Sequence, residues 1–424
     1  MQPNELKFEK EAIRFIQLAE KTNKCIYLTG KAWAWKSTLI NFFISKTKKK
    51  FIMLWTTWVS AEKIGGETIH RFFWLQKGWR VSINNEKRDI IRETDIFIID
   101  EISMMRADLF DKLEWIMRNV MQNEYFFWWK QFIFVWDLFQ LPPVPEQEFF
   151  DKNKTQRNPY YDIFWEKYKG LFFFDWNNYN QEHFEKIQLR KVYRQTDIDF
   201  VDMLNRVRLW DGSREVLNYF NQKYIDKKDI HPQSILIACT NKIADIYNRE
   251  RLERLPGEKK VSKAYINGDF PENLYPNDMY ISFKVWARII FVSNDRNHGY
   301  KNWTLGTIKE IYQNSVVILK DDWLSIEVNR QQWQHNDWVD DFWNPIILWT
   351  FLQYPFRIAF WITIHKCQGK SFGHVVVDLW WGAFADGQVY VAFSRARSFE
   401  WLQLLKKLNK KDVMTSEEVI KFLK

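Results

Sequence analysis

Residues 25–37, CIYLTGKAWAWKS, decide the fold that this sequence predicts. CIYLTG is a short apolar run of the kind that forms a buried strand, and the segment after the loop, LINFFISKTKKK, reads as a helix. The loop between them matches the phosphate-binding pattern G-x-x-x-x-G-K-[ST] at Gly30, Lys36 and Ser37. A strand, a loop of this type and a helix in this order predict a nucleotide-binding α/β domain.

The loop departs from the pattern at one essential point. Trp35 stands where the second glycine is required, and Trp33 lies two residues before it. Glycine is used there because the backbone bends tightly around phosphate and can need a positive φ. A tryptophan strains that backbone or fills the phosphate space. The sequence therefore predicts a loop derived from a phosphate-binding loop, and leaves open whether it binds phosphate.

The neighbouring segments extend the strand–helix alternation. FIMLW (51–55), DIFIID (95–100) and QFIFVWD (131–137) read as strands separated by helical stretches, which predicts a parallel, doubly wound sheet. SILIACT (234–240) is a further strand. Residues 255–345 change to short strands broken by Gly, Pro, Asn and Asp, which indicates a small inserted β domain.

Composition limits the class of protein. A chain of 424 residues is long enough for two or three domains. Its net charge of +9 favours an anionic partner such as nucleic acid, or equally indicates only a basic surface. Three separated cysteines predict no disulfide framework and a reducing, intracellular compartment. No apolar run approaches the roughly 18 residues of a membrane span, and we expect no secretory signal.

Two strand ends carry candidate nucleotide chemistry. Asp100 and Glu101 follow an apolar strand, where one carboxylate can hold Mg²⁺ and the other can activate water; a solvated turn is the plainer alternative. Gln140, three residues after Asp137, suits a contact to a γ-phosphate, although the same segment can be a turn made rigid by two prolines.

Basic and aromatic segments complete the set of motifs. QLRKVYRQ (188–195) and VYVAFSRAR (389–397) each offer an arginine that could stabilise charge on a phosphoryl group, although each alone is more often a surface charge. ITIHKCQGKS (362–371) and GGETIHRFF (65–73) offer contacts to a nucleic-acid backbone. A lone His365 is more often structural, and Phe72 either stacks on a base or belongs to the core.

Taken in order, these segments resemble the Pif1 family of superfamily 1B DNA helicases, which are related to the RecD-like enzymes. The resemblance extends from about residue 10 to 408 and is carried by IIDEISMM, FVWDLFQLPPV, VYRQ, ITIHKCQGKSF and GQVYVAFSRARS. It implies an α/β fold of two RecA-like P-loop domains with a small SH3-like β insertion. ATP would be held between the two domains, and the protein would move 5′→3′ on single-stranded DNA.

The resemblance also implies domain boundaries. Domain 1A would comprise residues 1–183, with a small 1B insertion near residues 65–82. Domain 2A would comprise residues 184–254 and 346–424, and the SH3-like domain 2B would be inserted as residues 255–345.

Site roles are carried over position by position. The implied catalytic residues are Glu101, Gln140, Arg194 and Arg395. The implied ATP contacts are Gly30, Lys31, Lys36, Ser37, Thr38, Gln368 and Gly369. The implied Mg²⁺ ligands are Ser37 and Asp100. The implied DNA contacts are Thr57, Thr68, His70, Phe72, Thr363, His365 and Lys366.

The implied partners are single-stranded DNA and forked or G-quadruplex DNA, with a monomeric protein and no membrane. The implied compartment is the cytoplasm or nucleoid, and the implied pathways are DNA repair, recombination and telomere maintenance.

Glycine is scarce and tryptophan abundant in this chain. It has 14 glycines and 24 tryptophans, whereas a usual glycine frequency of about 7% corresponds to about 30. The family pattern has glycine at Trp33, Trp35, Trp58, Trp136, Trp286, Trp303, Trp380 and Trp401. We therefore expect an altered or redesigned sequence on a Pif1-like backbone. Three functions follow as alternatives: an ATP-dependent helicase, a DNA-binding protein whose ATPase is blocked by the altered loop, or a strained fold with neither activity.

Overall fold

The structure, a computed structural model, describes the chain except for residues 1–8, 32, 57–66, 74–84, 123–129, 144–158, 177–183, 191–196, 231–233, 269–274, 296–298, 303, 336–337, 340–344, 347–348, 381 and 424. The chain divides into two compact units. The first comprises Met1–Asp229, Gln368–Gly373 and Leu379–Lys424, and the second comprises Ile230–Cys367 and His374–Asp378.

A parallel sheet of six strands forms the centre of the first unit. Its strands are β1 (Cys25–Gly30), β2 (Phe51–Trp55), β3 (Glu67–Thr68), β4 (Ile96–Asp100), β5 (Gln131–Trp136) and β6 (Phe184–Leu189). Their order is β3-β2-β4-β5-β1-β6, and every pair is parallel. The apolar runs of β1 and β5 are buried along their whole length because a parallel sheet is covered on both faces.

The first unit also contains helices. They are Lys10–Lys21, Lys36–Ile44, Ile69–Phe72, Asn85–Glu93, Ala107–Met121, Pro159–Lys167, Ile198–Arg208, Arg214–Asn221, Gln388–Phe393 and Glu417–Leu423. The first two pack on each other through the edge-to-face rings of Phe15 and Phe43, whose centroids are 5.7 Å apart. Both rings are fully buried with the apolar side chains of β1 and β5.

The carboxyl ends of the central strands meet at one edge of the sheet. Thr29 of β1 is paired with Trp136 of β5, and Asp100 of β4 is paired with Val135. Because the strands are parallel, the loops that follow them leave from the same edge, which is where ligands bind in sheets of this class. The predicted parallel α/β fold is confirmed here, and the glycine-lysine-serine loop lies at that edge.

The second unit combines a short parallel sheet with antiparallel β structure. Its helix is Asn241–Arg254, and its strands are β7 (Ile235–Ala238), β8 (Lys260–Lys263), β9 (Tyr265–Asn267), β10 (Tyr280–Phe283), β11 (Arg288–Phe291), β12 (Leu305–Ile311), β13 (Ser315–Lys320), β14 (Ser325–Asn329), β15 (Gln331–His335), β16 (Trp338–Val339), β17 (Pro345–Ile346), β18 (Trp349–Gln353), β19 (Phe356–Ile358), β20 (Trp361–Thr363) and β21 (Val375–Asp378). Strand β7 pairs in parallel with β20 and β21. Strands β14-β13-β12-β11-β19 form an antiparallel sheet. Its first four members lie within residues 255–345, where short strands are predicted, and β19 lies after that range.

The two compact units divide the chain at other positions than the predicted domains. Residues 184–229 and 379–424, which the family pattern assigns to domain 2A, cluster with the sheet that carries the phosphate-type loop. One cause is the helix Ile198–Arg208, whose last residue bonds to the turn after β5. The division into domains 1A, 2A and 2B stays a prediction.

Tryptophan dominates the left-handed backbone positions. Among the described residues, eight non-glycine residues have positive φ, and six of them are Trp33, Trp35, Trp210, Trp286, Trp323 and Trp380. The left-handed conformation costs an L-residue about 1–2 kcal/mol, and a bulky aromatic residue rarely adopts it. Trp136 and Trp401 do not have positive φ, and Trp58 and Trp303 lie outside the described residues. Four of the eight expected glycine positions therefore show glycine-like dihedrals, and Trp210 and Trp323 add two that the sequence did not indicate.

Trp210 shows what this backbone requires. It follows the helix Ile198–Arg208 with φ of 70°, and its N–H donates to the Val207 carbonyl at 3.1 Å. The next N–H, of Asp211, donates to the Arg206 carbonyl at 2.9 Å. These two bonds form the Schellman motif, whose left-handed residue is usually glycine.

Replacing Trp210 by glycine is expected to raise the free energy of unfolding by about 0.5–1 kcal/mol, because the strain of the left-handed residue exceeds the extra freedom glycine gives the unfolded chain. Urea denaturation followed by circular dichroism measures it. The matched control is Trp115→Gly. Trp115 is also about half exposed but lies inside the helix Ala107–Met121, where glycine should lower stability by about 0.5 kcal/mol. The same sign for both variants would contradict the argument.

Candidate functional site

The phosphate-type loop positions Lys36 at the first turn of the helix Lys36–Ile44. Its ammonium Nζ donates to the carbonyl oxygens of Gly30 at 2.7 Å and of Lys31 at 3.1 Å. Burial lowers the pKa of Lys36, and the carboxylates of Asp137, Glu101 and Asp100 oppose that shift. The lysine is therefore held over its own loop, next to three acidic groups at the edge of the sheet.

Both loop tryptophans adopt the left-handed backbone conformation that favours glycine, and Trp35 does so at the second glycine of the phosphate-binding pattern. Trp33 has φ of 62° and Trp35 has φ of 57°. Trp35 is the residue before the helix, and its carbonyl accepts the N–H of Leu39 at 2.8 Å. The Trp33 ring packs against Phe200, with centroids 6.1 Å apart. The backbone thus keeps a glycine-type path, and the indole rings are added to it.

The two carboxylates after β4 are held by local hydrogen bonds. The Glu101 N–H donates to Asp100 Oδ1 at 2.9 Å, and the Thr56 hydroxyl donates to the Glu101 carbonyl at 2.8 Å. Glu101 itself has φ of 58°. Strained backbone at a non-glycine residue is concentrated at functional sites, where it fixes the direction of a side chain. This geometry is compatible with one carboxylate that binds a metal ion and a second that binds a water molecule.

A buried carboxylate links the turn after β5 to two other segments. Asp137 is fully buried, and its Oδ1 accepts Nε and Nη2 of Arg208, both at 3.1 Å. Its Oδ2 accepts the hydroxyl of Tyr390 at 2.7 Å. The Arg208 guanidinium also lies over the Phe139 ring, 3.9 Å from its centroid. Asp137 therefore joins the β5 turn to the helix Ile198–Arg208 and to the helix Gln388–Phe393.

Gln140 lies in the same turn and has a buried partner. Its backbone N–H donates to the Asp137 carbonyl at 3.0 Å, and its side-chain Oε1 accepts Nε2 of Gln368 at 3.2 Å. Gly387 packs against this turn so closely that a Cβ atom would lie 2.6 Å from the carbonyl oxygens of Phe139 and Gln140. Gly387 also has φ of 73°, which disfavours a side chain, and the close contact leaves no room for a Cβ atom. The turn is thereby tied to both segments of the first unit that come from the end of the chain.

The side chains at this edge fit ATP and Mg²⁺. Ser37 is exposed and Asp100 is partly exposed, so a hydroxyl and one carboxylate are accessible beside the loop. In the part of the chain that the structure describes, no group of three His, Cys, Asp or Glu side chains could hold a metal alone. Nucleotide-bound Mg²⁺ uses one or two protein oxygens together with phosphates and waters. The donor set agrees with that mode.

Of the two arginine candidates, the structure describes only Arg395. Arg395 is buried and donates to the Val391 carbonyl at 2.9 Å, the Lys370 carbonyl at 2.8 Å and the Ser394 hydroxyl at 2.7 Å. Through these hydrogen bonds, Arg395 joins the 368–373 segment to the helix Gln388–Phe393. Arg194 lies outside the described residues, as does the DNA-contact candidate Thr57.

The remaining candidates for DNA contact fall in two places. In the first unit, Thr68 is buried in β3 and His70 is exposed. Phe72 is 4% exposed, and its ring centroid lies 4.8 Å from that of Phe73 and 6.3 Å from that of Phe97. Of the two alternatives for Phe72, the structure therefore supports a core side chain.

In the second unit, Thr363 ends β20 and is buried, whereas His365 and Lys366 are partly exposed in the turn after it. Burial lowers the pKa of both His365 and Lys366. Arg357 adds to the shift of Lys366, while Asp245 and Asp278 oppose it.

The sequence gives only a weak indication that two further residues belong to the site. Arg208 and Tyr390 come from segments far from Asp137 along the chain. Arg208 does follow Leu204 by four positions, which places it on the buried face of its helix with Phe200 and Leu204. A charge on a buried face signals a buried partner, but the identity of that partner follows only from the fold.

Arg208→Ala is expected to lower the free energy of unfolding by about 3–5 kcal/mol, because it leaves the Asp137 carboxylate buried without its cation. Urea denaturation measures the loss. Arg206→Ala, two residues away on the same helix, is the control. Arg206 pairs with Asp211 and Glu215 at the surface, so its loss should be clearly smaller. Equal losses would contradict a special role for the buried pair.

Comparison with known proteins identifies a family. A family model described as "PIF1-like helicase" matches residues 8–215. The ATP-dependent DNA helicase Pif1 of Campylobacter jejuni is 28% identical, over 91% of this chain and 90% of its own length. Fungal and vertebrate relatives are longer, and the chain spans about 60% of their length.

Solved structures agree over nearly the whole chain. The crystal structure of Bacteroides Pif1 bound to ssDNA has a TM-score of 0.81 at 26% identity, covering 99% of this chain and 96% of that one. The crystal structure of Pif1 helicase from Bacteroides in complex with ADP-AlF3 and ssDNA has a TM-score of 0.80 at 26% identity, covering 99% and 97%. The matched model, the relatives and the shared α/β fold, together with the site at the sheet edge, show that the chain belongs to the family of Pif1-like helicases.

Proposed function

We propose that this protein is an ATP-dependent DNA helicase that translocates 5′→3′ on single-stranded DNA. The observation that carries the proposal is the convergence of Lys36, Asp100, Glu101, Asp137 and Gln140 at one edge of the parallel sheet. Relatives named as ATP-dependent DNA helicases, and similar structures with ssDNA and with ADP-AlF3, support the same class of activity.

The chemistry assigned to this edge follows from its groups. Lys36 would leave the carbonyl oxygens of its loop to contact the β- and γ-phosphates, because an anion is a stronger partner for an ammonium than a neutral carbonyl. Ser37 and Asp100 would hold Mg²⁺, which supplies neutralisation of phosphate charge when bound. Glu101 would orient and deprotonate the attacking water. Arg194 and Arg395 would stabilise the charge that develops on the phosphoryl group.

Gln140 is suited to report the state of the phosphates. It bonds to Gln368 and belongs to the turn against which Gly387 packs. A change in what Gln140 contacts would therefore act directly on the segments that carry Gly369 and Arg395. We assign ATP-dependent movement on DNA to this connection.

DNA contacts are proposed for Thr57, Thr68, His70, Thr363, His365 and Lys366. The structure solved for a relative at forked DNA supports forks as substrates, and G-quadruplex DNA belongs to the same proposal. We assign the protein to the compartment that holds DNA and ATP, the cytoplasm or nucleoid, where it would act as a monomer in repair or recombination. Among the described helices, none has the length and apolar character needed to cross a membrane.

A second candidate is a DNA-binding protein without ATPase activity. The left-handed Trp33 and Trp35 favour it, because each adds an indole ring to the loop that must wrap around phosphate. It shares the DNA contacts of the first proposal and differs only in turnover.

Single-stranded DNA is expected to stimulate ATP hydrolysis at low salt, and Lys36→Ala should abolish it because no other described lysine occupies the same place in the loop. Phosphate release with and without an oligonucleotide measures both. DNA binding without turnover from a folded sample would favour the second candidate.

Replacing Trp33 and Trp35 together by glycine is expected to raise turnover at least about tenfold, equivalent to about 1.4 kcal/mol of barrier, because it removes both indole rings from the loop that must wrap around phosphate. Trp210→Gly is the matched control, since it relieves a left-handed tryptophan outside the loop. An equal gain in the control would assign the effect to stability and not to the loop.

Lys366→Ala is expected to weaken binding to single strands of any sequence and to reduce the slope of log affinity against log salt by about 0.7, because one phosphate contact is lost. Fluorescence anisotropy over a salt series measures the slope. Lys259→Ala is the control in the same unit, since Lys259 is exposed and pairs with Glu253. Identical slopes for both variants would remove Lys366 from the DNA contacts.

A further inference from the structure

The left-handed tryptophans share one property beyond their φ: each occupies a turn or cap that is built for glycine. Trp286 is the third residue of a turn closed by the Ala287 N–H and the Lys284 carbonyl at 3.1 Å. A positive φ at that position is the signature of a type II turn, where glycine is the usual residue.

Trp323 occupies a hairpin turn between β13 and β14. Its N–H donates to the Lys320 carbonyl at 3.0 Å, and the Lys320 N–H donates to the Leu324 carbonyl at 2.9 Å. This is the three-residue hairpin whose last loop residue is left-handed and is usually glycine. Trp380 is the second residue of a turn closed by the Gly382 N–H and the Leu379 carbonyl at 2.8 Å, and its φ is 53°.

Four of these indole rings are exposed. Trp323 is 80% exposed, Trp286 51%, Trp210 48% and Trp380 39%. A tryptophan is normally retained for the apolar area that it buries, and these four rings leave much of that area exposed although their backbone is strained. The Trp286 ring does lie under the ammonium of Lys309, 4.3 Å from its centroid, a contact that stabilises an exposed site only weakly. Tryptophan at one such turn could be an accident of sequence, but the same substitution recurs in a Schellman cap, a type II turn, a hairpin bulge and the phosphate-type loop.

Composition agrees with the geometry. The chain has fewer glycines than tryptophans, 14 against 24, whereas glycine is usually one of the commonest residues. The tryptophan excess therefore occurs together with a glycine deficit, and the described backbone shows where several of the missing glycines belong.

We propose that the protein made in its own cells carries glycine at positions 33, 35, 210, 286, 323 and 380. Its gene encodes these positions with a codon that those cells translate as glycine. UGA is the codon that fits. It is one base from the glycine codon GGA, and variant codes read it as tryptophan where the standard code reads stop. A gene that uses UGA for glycine yields, under a tryptophan-reading code, a chain of unchanged length with tryptophan at its glycine turns.

The consequence for the nucleotide site is direct. With glycine at 33 and 35, the loop reads Gly-Lys-Ala-Gly-Ala-Gly-Lys-Ser from position 30 and matches the complete phosphate-binding pattern. The native protein then has neither indole ring in this loop, and any obstacle that the rings present to ATP binding belongs only to the tryptophan-bearing chain.

Peptide masses of the protein purified from its own cells test this inference, and the test does not depend on any activity. Trypsin is expected to release residues 321–330 (DDWLSIEVNR) and 209–214 (LWDGSR) lighter by the difference between a tryptophan and a glycine residue. Residues 158–167 (NPYYDIFWEK) are the internal control. Trp165 lies in the helix Pro159–Lys167 and its ring contacts Phe164 at 5.3 Å, so that peptide should keep its tryptophan mass.

The gene supplies the second arm of the test. UGA at the six codons and UGG at Trp165 is the expected result. Tryptophan masses in the native peptides 321–330 and 209–214 would overturn the inference, whatever the codons are. Glycine masses encoded by ordinary glycine codons would overturn the codon explanation and leave an altered, redesigned chain as the source of the tryptophans.

Discussion

The buried Asp137 carboxylate is the interaction on which the first unit depends. It follows β5 at the edge of the parallel sheet, and it binds the guanidinium of Arg208 and the hydroxyl of Tyr390. A buried carboxylate is tolerated only when it is paired and hydrogen-bonded, so the three segments must arrive together. The same turn presents Gln140 to Gln368 and receives Gly387. One charge pair thus sets the position of the turn beside the lysine of the phosphate-type loop.

The parallel sheet explains why the candidate chemistry is concentrated at one place. Strands β1, β4 and β5 run in the same direction, so their following loops share an edge. Lys36, Asp100, Glu101 and Asp137 come from separate motifs, and the charges of the three carboxylates all act on the pKa of Lys36. An ammonium bound to loop carbonyls, with carboxylates that influence its pKa, is compatible with the proposed binding of a magnesium-bound phosphate, since that ligand brings both signs of charge.

A second constraint comes from the backbone and not from side chains. Turns and caps that need positive φ are defined by hydrogen bonds between backbone groups, and in this chain they have that geometry where tryptophan occupies them. The chain retains these bonds with tryptophan at the left-handed position, as the Schellman motif at Trp210 shows. The strain from such residues, about 1–2 kcal/mol each, is substantial against a typical stability of about 5–15 kcal/mol. The same substitution therefore has two separate effects: it adds strain to the fold, and it adds indole rings to the phosphate-type loop.

The sequence by itself determined the parallel α/β architecture, the family and the motifs at the strand ends, because apolar runs, strand–helix alternation and short motifs are local properties of the chain. It also placed glycine-like backbone correctly at Trp33, Trp35, Trp286 and Trp380. Only the tertiary structure decided that Arg208 and Tyr390 are the partners of Asp137, that Phe72 is a core side chain, and that Arg395 is bound to backbone carbonyls. Those facts depend on which segments meet after folding, and residues distant along the chain leave no local pattern that specifies their partner.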